Sequence, residues 1–149
     1  MNKYIILALA LSLVGCGGTD AEENSPGFTS ISGKSVIETT EDNDTISTAQ
    51  VVSIGSAITG SVSTSDVIDV YQFDTKKGQR VEVNFDGGTG SDGDIYLYNS
   101  DYNVLRISHE DGSEESMVYD ASYTGTLYLV VKHYEGDDST YQMSIASSN

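Results

Sequence analysis

Two groups of oxygen-bearing side chains are the strongest candidates for chemistry in this sequence. Glu41, Asn43 and Asp44 lie close together on one predicted loop, and Asp66 and Asp69 flank the start of a predicted strand. Calcium takes about six to eight oxygen ligands from carboxylates, amides and main-chain carbonyls. If the fold brings the two groups together, they form a site for a divalent cation, and we predict calcium there.

A plainer interpretation of the same residues stays open. Asp and Asn are frequent in solvated turns because their side chains hydrogen-bond to nearby backbone groups. Asp44 is also suited to be the N-cap of a short helical turn that begins at Thr45.

A different chemistry is predicted at Cys16, the only cysteine of the chain. A basic start at Met1–Lys3 is followed by the apolar run Tyr4–Val14 and the small residue Gly15, which is the order of a lipoprotein signal peptide. The apolar run is shorter than the roughly 20 residues of a membrane span. We expect cleavage before Cys16 and lipidation of its thiol. Gly17, where an inner-membrane lipoprotein of a Gram-negative host has Asp, favours an outer membrane lipoprotein, periplasmic or surface-exposed.

The charge of the chain limits its partners. After cleavage 6 basic and 23 acidic residues remain, a formal charge of −17. Such a field repels nucleic acid and favours cations. Because no second cysteine exists, the fold has no internal disulfide and depends on its core and on any bound metal.

The remaining sequence divides into a linker and one domain. Residues 1–15 form the leader, 16–37 have the polar composition of a lipid-anchored flexible linker, and 38–149 form the domain. In the domain apolar residues recur every second position between turns, which predicts about eight short strands. We expect an all-β, jelly-roll-like antiparallel sandwich.

Tyrosine is unusually common, with ten residues beside three Phe and no Trp. Tyr96, Tyr98 and Tyr128 alternate with apolar residues, so we expect their rings on one sheet face, where they would bind a ligand. Tyrosine combines apolar area with a hydroxyl, which suits recognition of protein or sugar surfaces. Half-buried strands also favour tyrosine without any ligand, and this alternative stays open.

No pattern in the sequence predicts catalysis. His109 and His133 lack the spacing of a helical zinc site, and no nucleophile elbow is present. The glycine motif 88–93 precedes a strand, whereas a nucleotide-binding loop precedes a helix. We therefore expect that the protein is not an enzyme.

Several segments in a characteristic order carry a family resemblance. Residues 41–145 resemble the bacterial pre-peptidase C-terminal domain, a family related to clostridial collagen-binding domains. The resemblance rests on these segments: Glu41–Asp44, Gly60–Val62, Asp66–Phe73, Gly78, Asp94–Tyr98, Gly125–Val131 and Tyr141–Ile145. It implies a β-sandwich that is not catalytic and that usually accompanies exported peptidases.

The resemblance also implies a ligand set for calcium. One further glutamate of the collagen-binding relatives falls on Thr39, with Glu38 one place away. The matched positions supply five side chains and one main-chain carbonyl: Glu41, Asn43, Asp44, Asp66, Asp69 and the carbonyl of Val70.

These observations together predict a cell-envelope binding module, anchored to the membrane through Cys16 and stabilised by calcium. Its expected partner is an extracellular protein or polysaccharide. The alternative is an accessory or chaperone-like partner of a separately encoded exported peptidase or hydrolase.

Overall fold

The computed structural model describes residues 27–39 and 42–148, and these residues fold mainly into strands. One 3₁₀ turn, Ile46–Thr48, follows the first strand. The strands are β1 (Lys34–Ile37), β2 (Gln50–Val51), β3 (Ser56–Val62), β4 (Ile68–Thr75), β5 (Arg80–Asp86), β6 (Ser91–Asn99), β7 (Val104–Ser108), β8 (Glu114–Asp120), β9 (Gly125–Gly136) and β10 (Ser139–Ser148).

The strands form two five-stranded sheets that pack as a sandwich. Sheet A has the order β1-β3-β10-β5-β8, and sheet B has the order β2-β4-β9-β6-β7. Most neighbours are antiparallel, but the short strands β1 and β2 pair in parallel with β3 and β4. The predicted all-β sandwich is therefore confirmed, with ten strands among the described residues instead of about eight.

Alternation along each strand separates the core from the outer faces. In β5, Val81, Val83 and Phe85 are buried between the sheets, while Glu82 and Asn84 point outward. A pleated strand places successive side chains on opposite faces, so period two in the sequence becomes inside and outside in the fold. The main core contains these largest fully buried side chains: Tyr71, Tyr141, Phe73, Phe85, Ile58, Ile95, Leu97, Met117, Leu127, Leu129, Met143 and Ile145.

The segment before the first long strand is ordered in the structure. Lys34–Ile37, which the sequence analysis includes in the linker 16–37, forms the edge strand β1. Before it, the main-chain N–H of Thr29 donates to Oδ1 of Asn84 on sheet A at 3.1 Å. The predicted lipidation at Cys16 and the predicted signal peptide at residues 1–15 lie outside the described residues.

The predicted turns connect the long strands. Between β4 and β5, the N–H of Gln79 donates to the carbonyl of Lys76 at 2.9 Å, and Gly78 has a φ of 85°. Only glycine adopts that backbone conformation without strain. The helical turn predicted from Thr45 is a single 3₁₀ turn, with Thr45 as its N-cap instead of Asp44.

Candidate calcium centre and tyrosine face

Asn43 and Asp69 meet at the point where β4 begins. Both residues are fully buried, and the Oδ1 atom of each has no hydrogen-bond partner. The loop is fixed to the strand because the N–H of Val70 donates to the carbonyl of Asn43 at 2.8 Å. Two buried oxygens without partners carry a desolvation cost, which a cation would offset.

Glu38 joins this cluster from the end of β1. Its Oε1 accepts from Nδ2 of Asn43 at 2.9 Å, and its Oε2 accepts from the N–H of Ser61 at 3.0 Å. The family comparison by position placed the upstream ligand on Thr39, which is exposed. The structure instead directs the neighbouring carboxylate, Glu38, into the cluster.

Two tyrosines support the cluster from inside the sandwich. The hydroxyl of Tyr141 donates to Oδ2 of Asp69 at 2.7 Å, and the hydroxyls of Tyr141 and Tyr71 are hydrogen-bonded. Tyr71 also reaches Oε1 of Glu38 at 3.4 Å. Both tyrosines are fully buried in the core, and their hydroxyls are the partners of the acidic residues.

The electrostatics of this cluster favour bound positive charge. Burial, and then the nearby charge of Glu38, raise the pKa of Asp69 to about 9. Burial also raises the pKa of Tyr71 and Tyr141 above the usual range. An acid stays protonated in such surroundings unless a cation compensates its charge.

The other predicted ligands are only partly described. Asp66 lies near enough for its charge to raise the pKa of Asp69, and Asp44 follows Asn43 on the loop. Glu41 lies outside the described residues. Within residues 27–39 and 42–148, no three His, Cys, Asp or Glu side chains are grouped closely enough to hold a metal by themselves. A calcium site here therefore needs the Asn43 amide and further oxygens.

The three predicted ligand-binding tyrosines lie on one surface, the outer face of sheet B. Tyr98 on β6 is opposite Tyr128 on β9, and Tyr96 is opposite Val130. The half-buried rings pack with buried aliphatic side chains beneath them. We call this surface the tyrosine face; it consists of Tyr96, Tyr98, Tyr128, Ile68, Val70 and Val130, flanked by Ile46 and Ala49.

Tyr96 is fixed at one end of the tyrosine face. Its hydroxyl donates to Oδ2 of Asp94 at 2.8 Å. Burial, opposed mainly by this hydrogen bond and by the charge of Lys132, raises the pKa of Asp94.

The histidines do not assemble into a catalytic pair in the described part of the chain. His109 is exposed, and Nδ1 of the buried His133 has no hydrogen-bond partner. A serine nucleophile needs a histidine within hydrogen-bonding distance, and no such contact occurs at this nitrogen.

Glu115 is a buried acid that the sequence analysis did not single out. Its Oε2 accepts from the hydroxyl of Ser108, while its Oε1 is buried without a partner. Burial raises the pKa of Glu115 from 4.5 to about 7, and the charges of Asp94 and Glu110 add to the rise. The only sequence signal was an acid at an inward position of a strand.

We expect Glu115→Gln to change how stability depends on pH. The folded state holds this proton more tightly than the unfolded state, so its stabilising effect is full below about pH 4.5 and is lost as pH rises through about 7. Urea unfolding at pH 4.5 and pH 8 should show the wild type losing more stability than Glu115→Gln.

The neighbouring exposed residue supplies the control for this measurement. Glu114→Gln removes the same charge one position away and should follow the wild type. If Glu115→Gln also follows the wild type, the buried carboxyl does not titrate as described.

Comparisons with known proteins agree with this fold. The solved pre-peptidase C-terminal domain of collagenase from Bacillus anthracis matches with a TM-score of 0.59 and 23% identity, over 65% of this chain and 93% of that one. A periplasmic inhibitor of g-type lysozyme from Aeromonas hydrophila, PliG, matches with a TM-score of 0.48 and 12% identity, over 67% and 99% of the two chains. No curated protein sequence matches the chain significantly.

The sheet order and the match to the collagenase domain define the described residues as a β-sandwich module. Residues 67–133 match the family model of the bacterial pre-peptidase C-terminal domain, so the resemblance seen in the sequence is confirmed. The matched segment includes Asp69, all of β6 and most of β9, and these two strands carry the three tyrosines of the tyrosine face. Asn43 and Glu38 precede the segment.

No helix within the described residues is long and apolar enough to cross a membrane.

Proposed function

We propose that this protein is a lipid-anchored binding module of the cell envelope that contacts an extracellular protein or polysaccharide. The observation that carries the proposal is the tyrosine face, where Tyr96, Tyr98 and Tyr128 lie together on the outer side of sheet B. Aromatic groups held on a rigid sheet give contact area at a low cost in conformational entropy.

The surroundings of the tyrosine face suit a ligand with polar groups. Tyr128 is opposite Gln72 on β4, and the hydroxyl of Thr126 donates to Oδ1 of Asp74 at 2.7 Å in the next row. Rings beside amides, hydroxyls and carboxylates are suited to either a glycan or a protein surface, and both remain outcomes of the test below.

Calcium is the proposed cofactor. The partnerless Oδ1 atoms of Asn43 and Asp69 fit an oxygen-preferring cation, and the nearby carboxylates of Glu38 and Asp66 add negative charge. Asp44, Glu41 and the Val70 carbonyl complete the proposed ligand set. When bound, the ion would supply the positive charge that lets the buried carboxylates ionise.

The anchor and the location follow from the leader. Two or more acyl chains at Cys16 would hold the protein firmly to a membrane, and Gly17 favours the outer membrane. The formal charge of −17 after cleavage keeps the domain away from anionic surfaces and from nucleic acid.

The second candidate is an accessory role beside a separately encoded exported peptidase or hydrolase. The observation that favours it is the match to a domain whose solved relative belongs to a collagenase. In that role the same face would contact the enzyme.

Capture experiments with tyrosine variants test the proposal. We expect Tyr98→Ser with Tyr128→Ser to reduce capture of the partner from envelope extract, or sedimentation with envelope polysaccharide, at least tenfold, because buried aromatic contacts dominate binding energy. The bait carries Cys16→Ser so that it remains soluble.

The matched control removes a tyrosine that lies off the strands of the tyrosine face. Tyr102 is 54% exposed, lies between β6 and β7 and is outside the tyrosine face cluster, so Tyr102→Ser should bind as the wild type does. Equal loss in Tyr102→Ser and in the double variant, or no loss in the double variant, would contradict the tyrosine face. A peptidase recovered in stoichiometric amount supports the accessory role.

A further inference from the structure

A strap of chain crosses the outer face of sheet A. Thr29 donates from its N–H and from its hydroxyl to Oδ1 of Asn84, at 3.1 and 3.4 Å. Asn84 lies on β5, yet by Lys34 the chain has reached β1, three strands away at the sheet edge. Strands lie about 4.8 Å apart, and five extended residues reach about 17 Å, so residues 29–34 run directly across the sheet.

Small side chains make room for this strap. Along its course Asn84 is opposite Ser144, which is opposite Ala57. Asn84 and Ser144 are 3% and 1% exposed, although both point away from the core. At the end of the strap, a Cβ on Gly33 would lie 2.6 Å from the carbonyl oxygen of Gly55. The strap is therefore packed against the sheet at both ends.

The strap determines the side from which the chain enters the domain. Thr29 begins it on Asn84 of sheet A, so the described chain enters the domain from the sheet A side. The tyrosine face lies on the opposite outer surface, on sheet B. The two sheets of a sandwich are about 10 Å apart, and side chains on both outer faces increase the separation between the two surfaces.

We propose that the strap orients the domain on the membrane, with sheet A toward the bilayer and the tyrosine face directed away from it. This inference rests on the proposed lipid anchor at Cys16. Ten residues lie between Cys16 and Gly27, and a chain of that length reaches at most about 40 Å when fully extended. Turning the sandwich over would require the chain to pass around the edge of sheet A and across both sheets, which uses most of that reach, so the tether keeps sheet A toward the bilayer.

The orientation has a consequence for recognition. A ligand outside the membrane meets the tyrosine face without displacing the strap, and sheet A is not available to that ligand. A freed strap lengthens the tether to the start of the domain core and removes the bias between the two faces.

Energy transfer to a dye in the bilayer tests this orientation. The lipidated full chain is placed in vesicles, with one fluorophore on Glu82→Cys or on Asp74→Cys. These positions lie on strands joined by one turn, at the same end of the sandwich, and point outward from sheet A and sheet B respectively. Lipidation leaves no thiol on Cys16, so the introduced cysteine is the only one that reacts.

We expect transfer from the Glu82→Cys label to be about twofold more efficient than from the Asp74→Cys label, because the faces differ in distance by at least the spacing of two sheets. Thr29→Pro removes the N–H that bonds Asn84 and leaves the sheet unchanged, so it should bring the ratio close to one. Asn84→Ala removes the acceptor of the same hydrogen bond and should also bring the ratio close to one.

The outcomes distinguish failure of the proposed orientation from failure of the proposed lipid anchor. Cys16→Ser should release the chain from the vesicles; retention of that variant, or no retention of the wild type, overturns the lipid anchor and with it the orientation. Equal or reversed transfer from the two labels on retained protein overturns the orientation alone. A ratio that Thr29→Pro and Asn84→Ala both leave unchanged overturns the role of the strap.

Discussion

Calcium should raise the thermal midpoint of this domain, and we expect Asp69→Ala to abolish the rise. The expected stabilisation is about 2.7 kcal/mol at a calcium concentration 100 times the Kd. For a domain of this size that corresponds to roughly 10 °C. The physical reason is local: Asp69 is fully buried with its pKa raised to about 9, so without a cation the folded protein holds this acid protonated, and calcium would compensate the charge that forms when it ionises.

Two variants and one control make this prediction specific. Asp69→Asn keeps the side-chain shape and an oxygen for the Tyr141 hydroxyl but removes the charge, so it should weaken the calcium response even if Asp69→Ala folds poorly. Asp74→Ala removes an exposed carboxylate from the same strand and should respond to calcium as the wild type does. Thermal unfolding in millimolar calcium and in chelator measures all four proteins. An unchanged wild-type midpoint would falsify the calcium site.

Calcium should also hold the first strand in place. Glu38 follows β1 directly and connects it to Asn43 and to Ser61 of β3. β1 itself is a four-residue edge strand with mostly exposed side chains. A cation that binds this cluster therefore stabilises the whole N-terminal edge of sheet A, including the end of the strap.

The long strands could be predicted from the sequence because their alternation is strong. In β4, Tyr71 and Phe73 share the inward face, as expected from their spacing, and both are buried. β1 and β2 could not be predicted in the same way. They contain four and two residues, and parallel pairing with β3 and β4 holds them instead of a buried apolar face.

The site was predictable by residue type but not by geometry. Asp69 and Asn43 were predicted to share a site; the carbonyl of Asn43 accepts from the N–H of Val70, so the loop lies beside the start of β4, and their joint binding of calcium stays a prediction. The place of Glu38 was not predictable. One residue of register decides which side chain faces inward, and that register is set by the pairing of β1 with β3. The contact between Tyr141 on β10 and Asp69 on β4 likewise joins residues that are 72 positions apart in the sequence.

Gly60→Ala should destabilise the domain more than substitution of a glycine that faces open space, such as Gly112. A Cβ at position 60 would lie 2.4 Å from the Tyr141 hydroxyl oxygen and 2.9 Å from that of Tyr71. Both rings are fully buried, and the Tyr141 hydroxyl is held by Asp69, so neither can move aside without breaking a buried hydrogen bond.

Overpacking a core costs about 1–3 kcal/mol, and an unsatisfied buried polar group costs about 1–3 kcal/mol more. We therefore expect Gly60→Ala to lower the free energy of unfolding by roughly 3 kcal/mol, measured by urea denaturation.

Gly112→Ala is the control. A Cβ at position 112 meets no atom within 4 Å, and the φ of 135° leaves only a backbone cost, which we expect to be about 1 kcal/mol. Because the crowded hydroxyls also hold Asp69, Gly60→Ala should reduce the calcium response as well, whereas Gly112→Ala should preserve it. Equal losses of stability in the two variants would show that the tyrosine pair is not packed rigidly beneath the acidic cluster.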